Sequence, residues 1–168
     1  RLWFITYVAH KSASGGGTGV FCIDDNLCMT KHPESRVGTY ANRMIHTESD
    51  QLLIGPHAID IDGNVRTFED LVDIRLAATA RHLESPADLV YFLGMEGGLY
   101  EADVHSLKTK QVADLNHELG IDERAHFKDA FTDHGRLVVV NNSYYHDDFQ
   151  RGESNGRLAE WDGQTWHV

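Results

Sequence analysis

The stretch Leu89-Val-Tyr-Phe-Leu-Gly-Met-Glu-Gly-Gly-Leu-Tyr-Glu-Ala-Asp103 decides the fold class. Its first five residues are a continuous apolar run, the pattern of a strand buried on both faces. Residues 95–98 hold two glycines and have the length of a hairpin connection. From Leu99 onward the chain alternates, so Leu99, Glu101 and Asp103 share one side of a second strand. The reading is an antiparallel hairpin that ends on Asp.

Three other segments repeat this unit. Trp3-Phe-Ile-Thr-Tyr-Val8 pairs with Gly19-Val-Phe-Cys-Ile-Asp24, Gln51-Leu-Leu-Ile54 with His57-Ala-Ile-Asp60, and Leu137-Val-Val-Val140 with Gly156-Arg-Leu-Ala-Glu-Trp-Asp162. The anchors Phe4, Leu52, Leu89 and Leu137 are 48, 37 and 48 residues apart. Such periods suit the four-stranded blades of a propeller, whose stacked faces bury the middle strands. The expected fold class is therefore all-β: a β-propeller with about four blades, in units 1–40, 41–80, 81–125 and 126–168. Gly63, Gly97, Gly98, Gly156 and Gly163 are expected at turn positions with positive φ. Residues 68–83 and 114–130 have partly helical apolar spacing and are read as excursions between blades, with a short helix at most.

The first residues, 3–8, and the last, 161–168, both read as strand sequence, so the chain is expected to be part of a larger ring. Its partners would then be the remaining blades of the same chain or a self-associated copy, and the apolar ends would face solvent when isolated.

Composition narrows the function. The 168 residues carry 15 basic and 26 acidic side chains, a formal net charge of −11. That charge argues against nucleic acid as a partner, and no polybasic cluster suits a membrane surface. Two cysteines cannot make a disulfide scaffold. Cys22 and Cys28 flank Ile-Asp-Asp-Asn-Leu, and a three-residue loop at Asp24-Asp25-Asn26 would place them opposite each other on a hairpin, either bonded or as free thiols. Neither cysteines nor histidines fall at zinc spacing, so no metal or other cofactor is expected. Gly15-Gly-Gly-Thr-Gly19 lacks the Lys-Ser/Thr and the helix of a phosphate loop and reads as a connection. Ten of the basic residues are Arg and five Lys, and histidine occurs 11 times. Arg suits bidentate recognition of planar anions such as carboxylates.

Arg43 and His46, Arg81 and His82, and His126 and Lys128 each precede a buried middle strand by a few residues. In a propeller that places them on the innermost strand, beside the central channel. Either they converge on a ligand or they tie blades together through carboxylates. Asn141 and Tyr144 leave the strand of residues 137–140 and enter a polar loop, where amide and ring suit a sugar. An ordinary Asx-type turn is the plainer reading.

Several phrases carry a resemblance. Arg43-Met-Ile-His-Thr-Glu-Ser-Asp-Gln-Leu-Leu-Ile-Gly-Pro-His-Ala-Ile-Asp-Ile-Asp-Gly-Asn-Val-Arg66, Ala80-Arg-His82, Gly98-Leu-Tyr-Glu-Ala-Asp-Val-His-Ser-Leu107, Gly135-Arg-Leu-Val-Val-Val-Asn-Asn142 and Gly156-Arg-Leu-Ala-Glu-Trp-Asp-Gly163 together resemble the seven-bladed β-propeller enzymes that act on rhamnose–glucuronate linkages. That family contains lyases and a related hydrolase group. The likeness spans residues 40 to 168, and no residue here is matched to the family's early catalytic histidine. It implies a secreted or periplasmic enzyme acting on an acidic polysaccharide by β-elimination at a uronic acid. Such a lyase must neutralise the uronate carboxylate and take the neighbouring proton. Arg43, Arg81 and Asn141 are the expected carboxylate and hydroxyl contacts. His46, His82 and Tyr144 are the expected acid–base groups, and His126 and Lys128 are secondary substrate contacts. The competing reading is a non-catalytic propeller scaffold or glycan-binding module.

Overall fold

A computed structural model describes residues 2–6, 18–37, 44–83, 88–120, 126–142 and 157–168. They form four antiparallel sheets, each a meander in chain order. The first sheet holds β1 (Leu2–Thr6), β2 (Thr18–Ile23) and β3 (Met29–Val37). The second holds β4 (Met44–His46), β5 (Leu52–Ile54), β6 (His57–Ile59) and β7 (Val65–Thr67). The third holds β8 (Leu76–Arg81), β9 (Leu89–Gly94), β10 (Gly98–Asp103) and β11 (Thr109–Asp114). The fourth holds β12 (His126–Asp133), β13 (Arg136–Asn142), β14 (Arg157–Trp161) and β15 (Trp166–His167). Helix among the described residues amounts to a 3-10 turn at Glu69–Leu71 and a single α-turn, α1 (Leu115–Glu118).

All four expected hairpins are present. Leu93 faces Leu99, Leu53 faces Ala58, Val139 faces Ala159 and Ile5 faces Val20 across their ladders. The Asp closing each hairpin heads the turn into the last strand of its sheet. Asp24 Oδ1 accepts the amides of Asn26 and Cys28, and Asp60 Oδ1 that of Asn64. Asp103 Oδ1 accepts those of His105 and Ser106, and Asp162 Oδ1 those of Gln164 and Thr165. A short carboxylate satisfies its own turn's N–H groups, which is why the residue type recurs. The turn also sets the equivalences: β2 corresponds to β6, β10 and β14.

The core follows from the alternation along β9. Val90 and Phe92 pack with Leu53, Ala58, Phe68 and Leu71 toward the second sheet. Tyr91 and Leu93 pack with Phe127, Ala130, Leu137 and Val139 of the fourth. The third sheet is thus covered on both faces. Full burial of each such side chain is worth about 1.5–3 kcal/mol. The other face of the second sheet, Leu52, Ile54 and Ile59, is buried as well.

Several expectations need correction. The third sheet begins at Leu76, so a unit boundary after residue 80 cuts through β8. Leu76-Ala-Ala-Thr-Ala-Arg81 is rich in good helix formers, and burial between two sheets overrides that propensity. Residues 161–168 are not one strand: β14 ends at Trp161, and β15 folds back so that Trp166 pairs with it. Both indoles are half-buried against the core instead of facing solvent. Cys22 lies opposite Thr30, not Cys28, and both thiols are free, Cys22 buried and Cys28 exposed. Gly63, Gly97 and Gly163 have φ of 90°, 99° and 97°, but Gly98 opens β10 without positive φ. Gly156 lies outside the described residues, as do residues 15–17 of the glycine-rich connection, whose last two residues open β2.

Candidate functional site

Neighbouring sheets meet along their first strands. At one end, the Met95 amide bonds the Arg75 carbonyl at 2.7 Å, and the Phe127 amide bonds the Met95 carbonyl at 3.0 Å. This sets the start of β12 beside the start of β8. At the other end, Thr132 Oγ1 donates to the Arg81 carbonyl, and Arg81 Nη2 donates to the His46 carbonyl at 2.8 Å. The last residues of β4 and β8 and the last turnward residues of β12 are therefore linked side by side.

Of the expected site residues, Arg81 reaches the backbone carbonyl of His46 at this end, and both residues are exposed; the His46 side chain itself lies on the other face of the second sheet, with Leu52 and Ile59. The bond to His46 engages one of the five N–H donors of the guanidinium. His46 Nε2 lies 3.5 Å from Asp50 Oδ1. It also lines a cavity of about 470 Å³ with Asp25, Asp50, Asp60, Asp62 and the apolar side chains of Leu52, Ile59 and Ile61.

His82 follows Arg81 in sequence but sits differently. Its side chain is 9% accessible, bonds Glu101 Oε2 through Nε2 at 3.1 Å, and stacks on Tyr91 with ring centres 4.6 Å apart. Consecutive strand residues point to opposite faces, so Arg81 reaches outward while His82 turns inward. An imidazole held this way fixes Glu101 and packs the core, on the face of the third sheet opposite Arg81.

Asn141, Lys128 and His126 occupy the opposite end. Asn141 pairs with Phe127, and Thr132 stands five residues further along β12. One of those five is the bulged Lys128, so the ladder advances four steps, and at about 3.3 Å each that is roughly 13 Å from the Arg81 contact. Arg81 and Asn141 therefore stand at opposite ends of these strands. Asn141 is buried, with no partner for either amide atom among the described residues. Lys128 is the extra residue of a β-bulge between Phe127 and Asp129, half-buried. His126 opens β12 opposite Asn142, and its side chain is outside the described set. Arg43 and Tyr144 lie outside the described residues.

One constellation had no counterpart in the sequence reading. A cleft of about 220 Å³ between the third and fourth sheets is lined by Tyr91, Leu99, Glu101, Val112, Ala113, Glu118, Trp161 and Trp166. The repeated Trp on either side of the Asp162 turn was the available signal; which sheet the indoles would face was not.

The chain matches no family model and no curated protein. Its functional reading therefore rests on geometry and on the likeness of its phrases. Among the described residues no group of His, Cys, Asp and Glu is arranged to hold a metal ion. No helix among them is long and apolar enough to cross a membrane.

Proposed function

We propose that the four sheets are blades of a β-propeller, part of a seven-bladed ring, and that the protein cleaves rhamnose–glucuronate linkages in an acidic polysaccharide by β-elimination. The reading rests on the resemblance of residues 40–168, and one observation carries it furthest: the exposed Arg81 guanidinium stands at the common end of adjacent first strands, anchored by one bond to the His46 carbonyl. In a propeller that end opens on the central channel. A guanidinium there supplies the planar donor pair a uronate carboxylate requires, and lowers the energy of the enolate that forms when the adjacent proton leaves. The His46 imidazole, exposed at the same strand end on the other face of β4, is an acid–base group of suitable type. Meandering sheets, the second packed on the third and the third on the fourth, support the blade reading. The remaining blades, in the same chain or a second copy, complete the ring in this account, and a secreted or periplasmic location goes with its substrate.

A second reading, a glycan-binding or scaffold propeller, is favoured by two placements. His82 is committed to Glu101 and Tyr91, and Asn141 stands a strand length from Arg81. The test is an oligosaccharide ending in rhamnosyl-glucuronate, offered to the protein while ultraviolet absorbance of the unsaturated uronate is followed. The lyase reading expects absorbance to rise, and expects Arg81→Ala to lower the rate at least tenfold, about 1.4 kcal/mol of lost transition-state binding. Saturable binding of the oligosaccharide without any absorbance change would instead establish the binding module.

A further inference from the structure

The cleft between the third and fourth sheets lies away from the first strands and plays no part in the reading above. Its floor is apolar: Tyr91 of β9 and Leu99 of β10 are 7% and 3% exposed. One wall is the indole pair of Trp161 and Trp166, with ring centres 5.3 Å apart and planes tilted by 39°. The other is β11, through Val112 and Ala113. Two carboxylates, Glu101 and Glu118, complete the lining, with no Lys, Arg or His among its described residues.

Three features of this lining fix the ligand's chemistry. The charged groups are both acceptors, so the ligand must bring donors or positive charge. The π-faces of the two indoles attract a cation electrostatically, most strongly where water is excluded. An anionic ligand meets two carboxylates on a chain of net charge −11. Glu101 is also held in place: His82 Nε2 stands 3.1 Å from its Oε2, and Tyr91 supports the imidazole by stacking. A pre-positioned carboxylate loses less side-chain entropy on binding.

We propose that this cleft binds an organic cation, an ammonium or guanidinium group carried on an apolar stem, between the Trp161–Trp166 pair and the Glu101 and Glu118 carboxylates. The apolar stem lies on Leu99, Val112 and Ala113, and the charge faces the indoles and the rim.

The probe is choline, compared at constant ionic strength with its uncharged isostere 3,3-dimethyl-1-butanol. The readout is the indole N–H signals of Trp161 and Trp166 in the NMR spectrum of the full chain, assigned by single Trp→Phe replacements. Choline is expected to shift both signals saturably, and the neutral isostere to bind about fivefold more weakly or less. Glu118→Gln, at an exposed position, is expected to weaken choline about two- to fivefold without altering the rest of the spectrum. Trp166→Leu is expected to abolish the choline-dependent shift of Trp161; because it could also loosen the hairpin, Glu118→Gln is the deciding variant. Equal binding of the isostere, no shift with choline, or a shift caused only by neutral sugars would each overturn the proposal.

Discussion

Arg66 shows how one side chain can join two sheets. From β7 its guanidinium donates to Gln51 Oε1 at 2.9 Å, to the Val104 carbonyl at 3.0 Å and to the His105 carbonyl at 3.1 Å. The three acceptors lie in two different sheets' turns, and a planar fork reaches them together where an ammonium cannot. Arg66→Lys is expected to destabilise the protein by about 1–2 kcal/mol, read as a lowered denaturant midpoint with unchanged slope. An unchanged midpoint would show that water replaces the fork without loss. Gly97 is constrained differently. Its φ is 99°, and a Cβ there would come within 2.7 Å of Asn116 Nδ2, which is bonded to the Glu96 carbonyl. Gly97→Ala is expected to cost at least about 1–2 kcal/mol from backbone conformation alone, with the displaced amide adding to it, measured in the same way. The sequence named Gly97 as a positive-φ turn residue, because a glycine between two strands has few other uses. Arg66 was legible only as the end of a phrase, since its acceptors are carbonyls supplied by distant turns.

At the level of elements, the turn aspartates are the repeat's most informative residue. Three are held below the ordinary carboxylate value: Asp60 chiefly by the Asn64 side-chain amide, Asp103 chiefly by the Ser106 backbone amide, and Asp162, strongly, chiefly by His167. A carboxylate whose folded pKa is depressed contributes stability above its unfolded value of about 3.9, and loses it as pH falls through the folded value. Acid should therefore loosen the same turn in the second, third and fourth sheets within one window, below about pH 4. Amide exchange of Asn64, Ser106 and Thr165 is the measurement, and protection that is flat from pH 5 to pH 2.5 would contradict it. Asp162→Asn keeps an acceptor but removes the charge, and is expected to flatten the response at Thr165 alone. These turns and the four hairpins were readable because they depend on local chemistry: two-residue alternation, hairpin-length gaps and an Asx side chain. β8 was not readable as a whole. Its Ala-rich sequence carries no period of two, and it is a strand because β9 and β12 flank it.

On the scale of the whole molecule, the site residues divide by strand end, and the sequence could not have said so. A residue's offset from the next middle strand places it on a first strand, but a strand has two ends and two faces. Arg81 ended beside the His46 carbonyl with the His46 side chain on the other face of its sheet, His82 turned into the core, and Asn141 with Lys128 went to the far end. The same limitation hid the indole cleft, whose walls come from two sheets. What packing adds is coupling. β9 sends Phe92 into one buried cluster, where it meets Phe68 edge-on at 5.1 Å, and Leu93 into the other, beside Leu137. Phe92, Leu93 and Leu137 are all fully buried, so neither cluster can empty without exposing the third sheet. Phe92→Ala is expected to cost about 3–5 kcal/mol and Leu137→Ala about 2–5 kcal/mol. If the sheets fold as one unit, either substitution lowers amide protection in β5, β9 and β13 by the same free energy. If they are coupled only to their neighbours, Leu137→Ala should unprotect β13 and β9 while leaving β5, two sheets away, unchanged. Because alternate residues of one strand serve both clusters, we expect the first pattern. Exchange rates at Leu53 in the Leu137→Ala protein decide the matter: a rate equal to that of the unsubstituted chain would show that coupling stops at the third sheet.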